Sequence, residues 1–202
     1  MTKYIVTMLA LGALAGYITS NVSDGFPSIW ITDYLFNGSL YLLLFVMGLA
    51  FGIDREAGTK MKSKGLKILI FPFVVAVGSI VGGLLGGLIF GLNLYGSMAV
   101  TAGYGWYTLT GPLLAQTLGA EWGALGFAAN FLRELITILS IPLMIRVDKL
   151  APVASGGATT MDTTLPVIVR YCGSDVLITA FSSGFVLSLV APFTVVAIAS
   201  LA

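Results

Sequence analysis

The chain is 202 residues long, 57% hydrophobic and only 9% charged, with a net charge of +1. A soluble domain carries roughly 25% charged residues, so this apolar content predicts a membrane protein, and the near-neutral balance offers nothing to nucleic acid. With no histidine and a single cysteine, Cys172, disulfides are excluded, a zinc site or a Ser-His-Asp triad is implausible, and no cofactor or metal is expected.

In chain order, hydrophobic segments fall at about 4–20, 34–53, 67–92, 96–118, 123–146, 152–172 and 174–201. The first follows a lone Lys3, with no convincing cleavage site before Asn21, and reads as a span rather than a signal peptide. The loop 21–33 has no Lys or Arg, whereas the loop 54–67 holds Arg55, Lys60, Lys62, Lys64 and Lys67, which places 54–67 and the N-terminus in the cytoplasm. In the third segment, Gly78, Gly82, Gly83, Gly86, Gly87 and Gly91 form small-xxx-small spacings that suit close helix packing. Trp30, Tyr34, Tyr41 and Trp122 read as interface anchors.

Two segments differ from the rest. Gly103, Gly105, Gly111 and Pro112 interrupt 96–118, and the short 152–172 carries Pro152, Gly156, Gly157, Asp162 and Pro166. Unpaired backbone groups are costly in hydrocarbon, so such breaks survive only where protein or a wet cavity surrounds them. Paired broken helices are a pointer to a transporter's binding site. The expected fold is one all-α polytopic membrane domain over 1–202, with six or seven hydrophobic segments, two of them discontinuous. If every segment crosses, the C-terminus lies outside, Arg170 inside, and Arg146 and Lys149 outside, against the charge rule; if 96–118 is re-entrant, that pair moves inside.

Asn130, Arg133, Glu134 and Thr137 share one helical stripe on an otherwise apolar segment. An ionised side chain at the bilayer centre costs about 2.5–3.5 kcal/mol, so such groups are functional candidates by default. Arg133 and Glu134 project about 100° apart and need not pair with each other. The second constellation runs Ser155-Gly156-Gly157-Ala158-Thr159-Thr160-Met161-Asp162-Thr163-Thr164-Leu165-Pro166. Pro166 removes an amide donor and is expected to free a carbonyl near residue 162. With Asp162 and the hydroxyls of Thr160 and Thr163, such carbonyls favour a cation, either an ammonium or an inorganic ion. The plainer alternatives are a salt bridge for Glu134, to Arg133 or Arg170, and a helix cap for Asp162. Asp54, Arg55 and Glu56 read as a helix exit.

Thr101-Ala102-Gly103-Tyr104-Gly105 is similar to a potassium-filter sequence, but too few residues precede it for a pore helix, so it reads as a cavity-lining break.

Together, Gly52-Ile53-Asp54-Arg55-Glu56, Gly103-Tyr104-Gly105-Trp106-Tyr107 with Gly111, Phe131-Leu132-Arg133-Glu134 and the run 156–166 resemble the lysine exporter family of small bacterial and archaeal membrane proteins. The resemblance covers essentially the whole chain and implies export of L-lysine, and of close basic analogues, across the inner membrane, with Glu134 and Asp162 at the positions of the family's intramembrane acids. Typical members are longer, with extra N-terminal spans, and in this family the two parts can be separate chains. The resemblance therefore implies a small membrane-protein partner supplying the missing spans.

The mechanism expected on these grounds is antiport, because a proton and the lysine ammonium compete for one acid. Against it stand an inorganic-cation carrier or channel, an intramembrane aspartyl enzyme, which lacks a suitable acid pair, and a structural subunit whose acids serve only to pair.

Overall fold

The computed structural model describes residues 67–202 without interruption, and before them only scattered positions between 7 and 49. The outer loop 21–33, the basic residues from Arg55 to Lys64 and the exit run 52–56 lie outside the described residues. The chain divides into two compact units, Met1–Arg55 and Glu56–Ala202. In the first, the described positions between 7 and 18 and between 38 and 49 are helical, where the first two spans are expected. The rest of the architecture concerns the second unit.

That unit is all helix among the described residues: α1 (Lys67–Phe90), α2 (Leu94–Thr101), α3 (Tyr107–Leu118), α4 (Ala120–Met144), α5 (Ala151–Gly156), α6 (Leu165–Cys172) and α7 (Leu177–Ala199). A 3-10 turn, Gly157–Met161, continues α5, and another, Ser174–Val176, leads into α7. Three helices are long and apolar enough to cross a membrane, Leu69–Phe90, Ala120–Met144 and Ser174–Ala199. Their outward faces suit lipid: Phe73, Ile89 and Phe90 on α1 are 69%, 77% and 76% exposed. Such a face would be untenable in water and is ordinary against acyl chains, which are as apolar as the side chains themselves. The chain is thus a multi-pass all-α membrane protein.

The two broken segments turn back instead of crossing. Gly119, at φ 101°, joins the end of α3 directly to the start of α4. The start of α2 lies at that same end, because a Cβ on Gly96 would sit 2.5–2.7 Å from the Trp122 ring on the first turn of α4. Between them, the Gly105 amide donates to Asn130 Oδ1 at 2.7 Å, ten residues along α4, or about 15 Å at helical rise. Residues 94–118 therefore enter from the N-terminal end of α4 and return to it. The second segment does the same from the other end. Lys149 and Asp175, just outside its two ends, form an ion pair at 3.3 Å, and Ile141, Val153, Ile168 and Cys172 pack in one cluster at its base, with Phe71 of α1 against it. Of the two topologies considered from sequence, the one in which every segment crosses is overturned. Arg146, Lys149, Arg170 and the start of α1 at Lys67 lie at one end of the unit, and among the described residues the other end carries no Lys or Arg.

The hairpin tips meet at mid-depth. The Ala158 amide donates to the Tyr104 carbonyl at 2.8 Å, Tyr104 adopts φ 53° and Gly157 φ 62°, and a Cβ on Gly105 would lie 3.1 Å from the Gly156 carbonyl. One stripe of α4 clasps both tips. Asn130 Nδ2 donates to the carbonyls of Val100 and Gly126, each at 2.8 Å, while its Oδ1 takes the Gly105 amide. Arg133 sends Nε to the Ser155 carbonyl at 2.7 Å, one terminal nitrogen to the Ala154 carbonyl at 3.1 Å and the other to Ser79 Oγ on α1 at 2.9 Å. The guanidinium thereby satisfies the C-terminal carbonyls of α5, which a helix end leaves unpaired. Of the glycine ladder on α1, Gly83 and Gly87 admit α2, where a Cβ would collide with Thr101 or Ser97; Gly78, Gly82, Gly86 and Gly91 have nothing within 4 Å.

Two predictions follow from this packing. Gly157→Ala combines a left-handed backbone cost of about 1–2 kcal/mol with a Cβ that collides with the Tyr104 carbonyl and sits 2.9 Å from the Arg133 guanidinium. Gly91→Ala, at φ 64° with open space around it, carries only the backbone cost. Thermal unfolding in detergent should show the first variant clearly less stable than the second; equal stability would mean that the tips are not in contact. Arg133→Lys cannot reach two carbonyls and Ser79 with one ammonium, and each orphaned acceptor costs about 1–3 kcal/mol. It should lower the melting temperature more than Ser79→Ala, which removes one bond.

Candidate functional site

Three elements bring their polar side chains together beside the tips. Glu134, one residue beyond Arg133 on α4, is buried at 8% exposure. It is not paired with Arg133 or Arg170: among the described residues the only ion pair is Lys149 with Asp175. The guanidinium faces the backbone of α5 and Ser79, as the 100° offset between neighbouring residues allows. The Glu134 carboxyl acts electrostatically on the hydroxyl of Tyr107, the first residue of α3, and so does Asp162. The ring is held edge-on by Phe127 and Phe131, with centroids 5.3 and 5.6 Å away. Tyr107 thus feels two carboxylates supplied by different elements.

Asp162 lies between the 3-10 turn and α6, and it is exposed. One oxygen, Oδ1, accepts the Thr163 amide at 2.6 Å and the Thr163 hydroxyl at 3.4 Å; no protein bond to Oδ2 occurs among the described residues. Asp162 therefore does not cap α6, whose N-cap position is Thr164; one oxygen is turned to its neighbour and one is available. Thr163 shares its exposure. Thr160 does not: it is fully buried, its hydroxyl between the carbonyls of Gly157 and Ala180, 2.8 Å from each. Its place is in holding the tip against α7, where Gly184 leaves the room that the Met161 amide and the Ala158 carbonyl occupy.

The glycines have separate duties. Gly103 admits Thr110, Gly105 at φ 101° presents its amide to Asn130, Gly156 admits Thr160 and Gly157 admits the Tyr104 carbonyl. Pro166 departs from its expected part. It occupies the first turn of α6, where the first amides have no helical partner in any case, so it starts a new helix rather than robbing a continuous one of a bond. Among the residues singled out in sequence, Glu134 and Asp162 both act on the Tyr107 hydroxyl and Thr163 bonds Asp162, while Asn130, Arg133 and Thr160 spend their polar atoms on backbone and, for Arg133, on Ser79. Tyr107 itself was not expected at the site; its position directly after the Gly103–Gly105 break, at the start of a new helix, is the signal that marks it.

An arrangement of two carboxylates and a phenol hydroxyl, with the neighbouring guanidinium saturated by carbonyls, offers acceptors to a cation and a carboxylate that can carry a proton.

The sequence matches the family described as Lysine exporter LysO over residues 6–199. It is 38% identical over 187 residues to the "Lysine exporter LysO" of Escherichia coli K12, covering 90% of this chain and 62% of that protein. A Haemophilus influenzae Rd protein named "Putative lysine exporter" is 28% identical over 163 residues, covering 79% of this chain and 84% of that one. The chain therefore spans less than two thirds of the length of the E. coli relative. No solved structure matches it. On the extent of these matches, the chain belongs to the lysine exporter family.

Proposed function

We propose that this chain carries L-lysine out of the cell across the inner membrane, in exchange for protons, through the site between the two hairpin tips. The observation that carries the proposal is a pair of carboxylates, buried Glu134 and exposed Asp162, beside two interrupted helices, with Arg133 engaged by backbone carbonyls instead of by either acid. The name of the E. coli relative supplies the substrate.

In this reading the lysine side-chain ammonium binds at the free oxygen of Asp162, with the exposed Thr163 beside it. Glu134 takes up the proton that returns, and Tyr107, in reach of both acids, lies on the path between them. Exchange of one lysine cation for one proton is electroneutral and is driven by the pH gradient alone; a second proton would recruit the membrane potential at about 2.3 kcal/mol per 100 mV. The end of the unit that carries Lys67, Arg146, Lys149 and Arg170 faces the cytoplasm by the charge rule, which puts the N-terminus inside. Part of the E. coli relative lies beyond the matched stretch, and the reading assigns that part to a small membrane-protein partner.

Efflux of labelled lysine from cells lacking other lysine exporters, with and without that partner, tests the proposal. At matched membrane abundance, Asp162→Asn and Glu134→Gln should each lower the efflux rate by at least about tenfold, as expected for groups that act in turnover. If wild type with the partner moves no more lysine than empty cells, the substrate assignment is wrong. Lower abundance with unchanged turnover would make the acids structural. Collapsing the pH gradient should abolish accumulation-driven exchange beyond simple downhill leak, and a rate indifferent to it would reject proton coupling.

A further inference from the structure

The second unit contains the same design twice, in opposite senses. α1, of 24 residues, is followed by a hairpin that re-enters from the end α1 has just reached; α4, of 25 residues, is followed by a hairpin that re-enters from the opposite end. The likeness extends to the tips. Val100-Thr101-Ala102-Gly103-Tyr104-Gly105 stands against Val153-Ala154-Ser155-Gly156-Gly157-Ala158, with Gly103 matching Gly156. At the next position both chains turn left-handed, Tyr104 at φ 53° and Gly157 at φ 62°. Tyr104 is the only described non-glycine residue with a positive φ, a conformation that costs an L-residue about 1–2 kcal/mol, so its recurrence at the matching place is not a consequence of composition.

The returning halves match as well once the second hairpin is allowed one extra residue, Thr159-Thr160 standing against Trp106. Tyr107-Thr108-Leu109-Thr110-Gly111-Pro112-Leu113-Leu114 then stands against Met161-Asp162-Thr163-Thr164-Leu165-Pro166-Val167-Ile168. Thr110 and Thr164 are both fully buried, as are Leu114 and Ile168; Pro112 lies within α3 and its counterpart Pro166 in the first turn of α6. The tips touch at residues that correspond: Gly157 lies against the carbonyl of its own counterpart, Tyr104, and Gly105 lies against the Gly156 carbonyl. The relation breaks at one bond. The Ala158 amide goes to Tyr104, but its counterpart, the Gly105 amide, goes to Asn130.

In this correspondence the partner of Asp162 is Thr108. Both are exposed, each near the start of the returning half of its hairpin. We propose that residues 67–118 and 120–172 are two inverted copies of one span-and-hairpin unit, and that Thr108 lines the transport site opposite Asp162, offering a hydroxyl to the zwitterionic head of the amino acid. An inverted pair places a shared site at the interface of the copies near mid-depth. The acid then receives the side-chain ammonium, and the hydroxyl, which can donate, suits the substrate's own carboxylate. The proposal rests on the reading of Asp162 as a substrate contact.

The test uses the full chain with its partner and with Cys172 replaced by serine, carrying either Thr108→Cys or Thr163→Cys beside Asp162. A small membrane-impermeant thiol reagent should label both Thr108→Cys and Thr163→Cys, and saturating lysine should slow both reactions several-fold. Protection of Thr163→Cys without Thr108→Cys overturns the inverted site. Protection of neither, in cells where wild type exports lysine, overturns it equally. If wild type exports no lysine, the failure lies with the functional reading. A transplant adds an independent readout: Asp162→Thr should lose efflux at least about tenfold, and Thr108→Asp added to it should recover a measurable part. A double variant no better than Asp162→Thr, at equal abundance and with Thr108→Cys unprotected, speaks against a matched pair.

Discussion

Backbone groups cannot be left unpaired at membrane depth, and two helices here are interrupted there. Each interruption frees amides and carbonyls whose solvation by hydrocarbon costs several kcal/mol. The molecule meets this demand mainly from one helix. Asn130 satisfies the first tip with both ends of its amide, Arg133 satisfies the second with two nitrogens of its guanidinium, and the tips complete each other through Ala158 and Tyr104. The narrow crossing at Gly105, Gly156 and Gly157 follows from that requirement, because only glycine lets carbonyls approach so closely. Glu134, next on the same helix, is thereby brought to the tips without being consumed by them.

The same constraint explains the chemistry of the site. A buried guanidinium would ordinarily neutralise a nearby carboxylate. Here its hydrogens are taken by the carbonyls of Ala154 and Ser155 and by Ser79, at the negative end of α5. Glu134 and Asp162 are left without an ion-pair partner among the described residues. A cation-accepting site is thus kept beside a fixed cation, by geometry rather than by distance along the sequence.

The places where helices break were legible in the sequence, since glycine and proline inside an apolar run admit few other readings. Their turning back was not. Hydropathy registers length, and α2 with α3 adds up to the length of a span, so 96–118 looks the same whether it crosses or returns. Charge placement carried the missing signal: Arg146 and Lys149 fit the basic end only if 94–118 re-enters. The polar stripe on α4 was also legible, but the division of labour within it was not, because the partners of Asn130 and Arg133 are backbone atoms supplied by distant segments. The glycine ladder on α1 shows the same limit. Only Gly83 and Gly87 face a neighbour, and nothing in the spacing distinguishes them from the others.

The two clasps on α4 have a mechanical consequence. A rigid rod fastened to both tips cannot stay with both if the tips separate. Any motion that opens a path between them must break the Ala158–Tyr104 bond and release either Asn130 or Arg133 from its hairpin. The releases are unequal: one frees a neutral amide, the other a charged fork with two carbonyls, and bonds to charged groups are worth more, about 1.5–3 kcal/mol against about 1. The first hairpin is therefore the looser of the two, and the rod travels with the second.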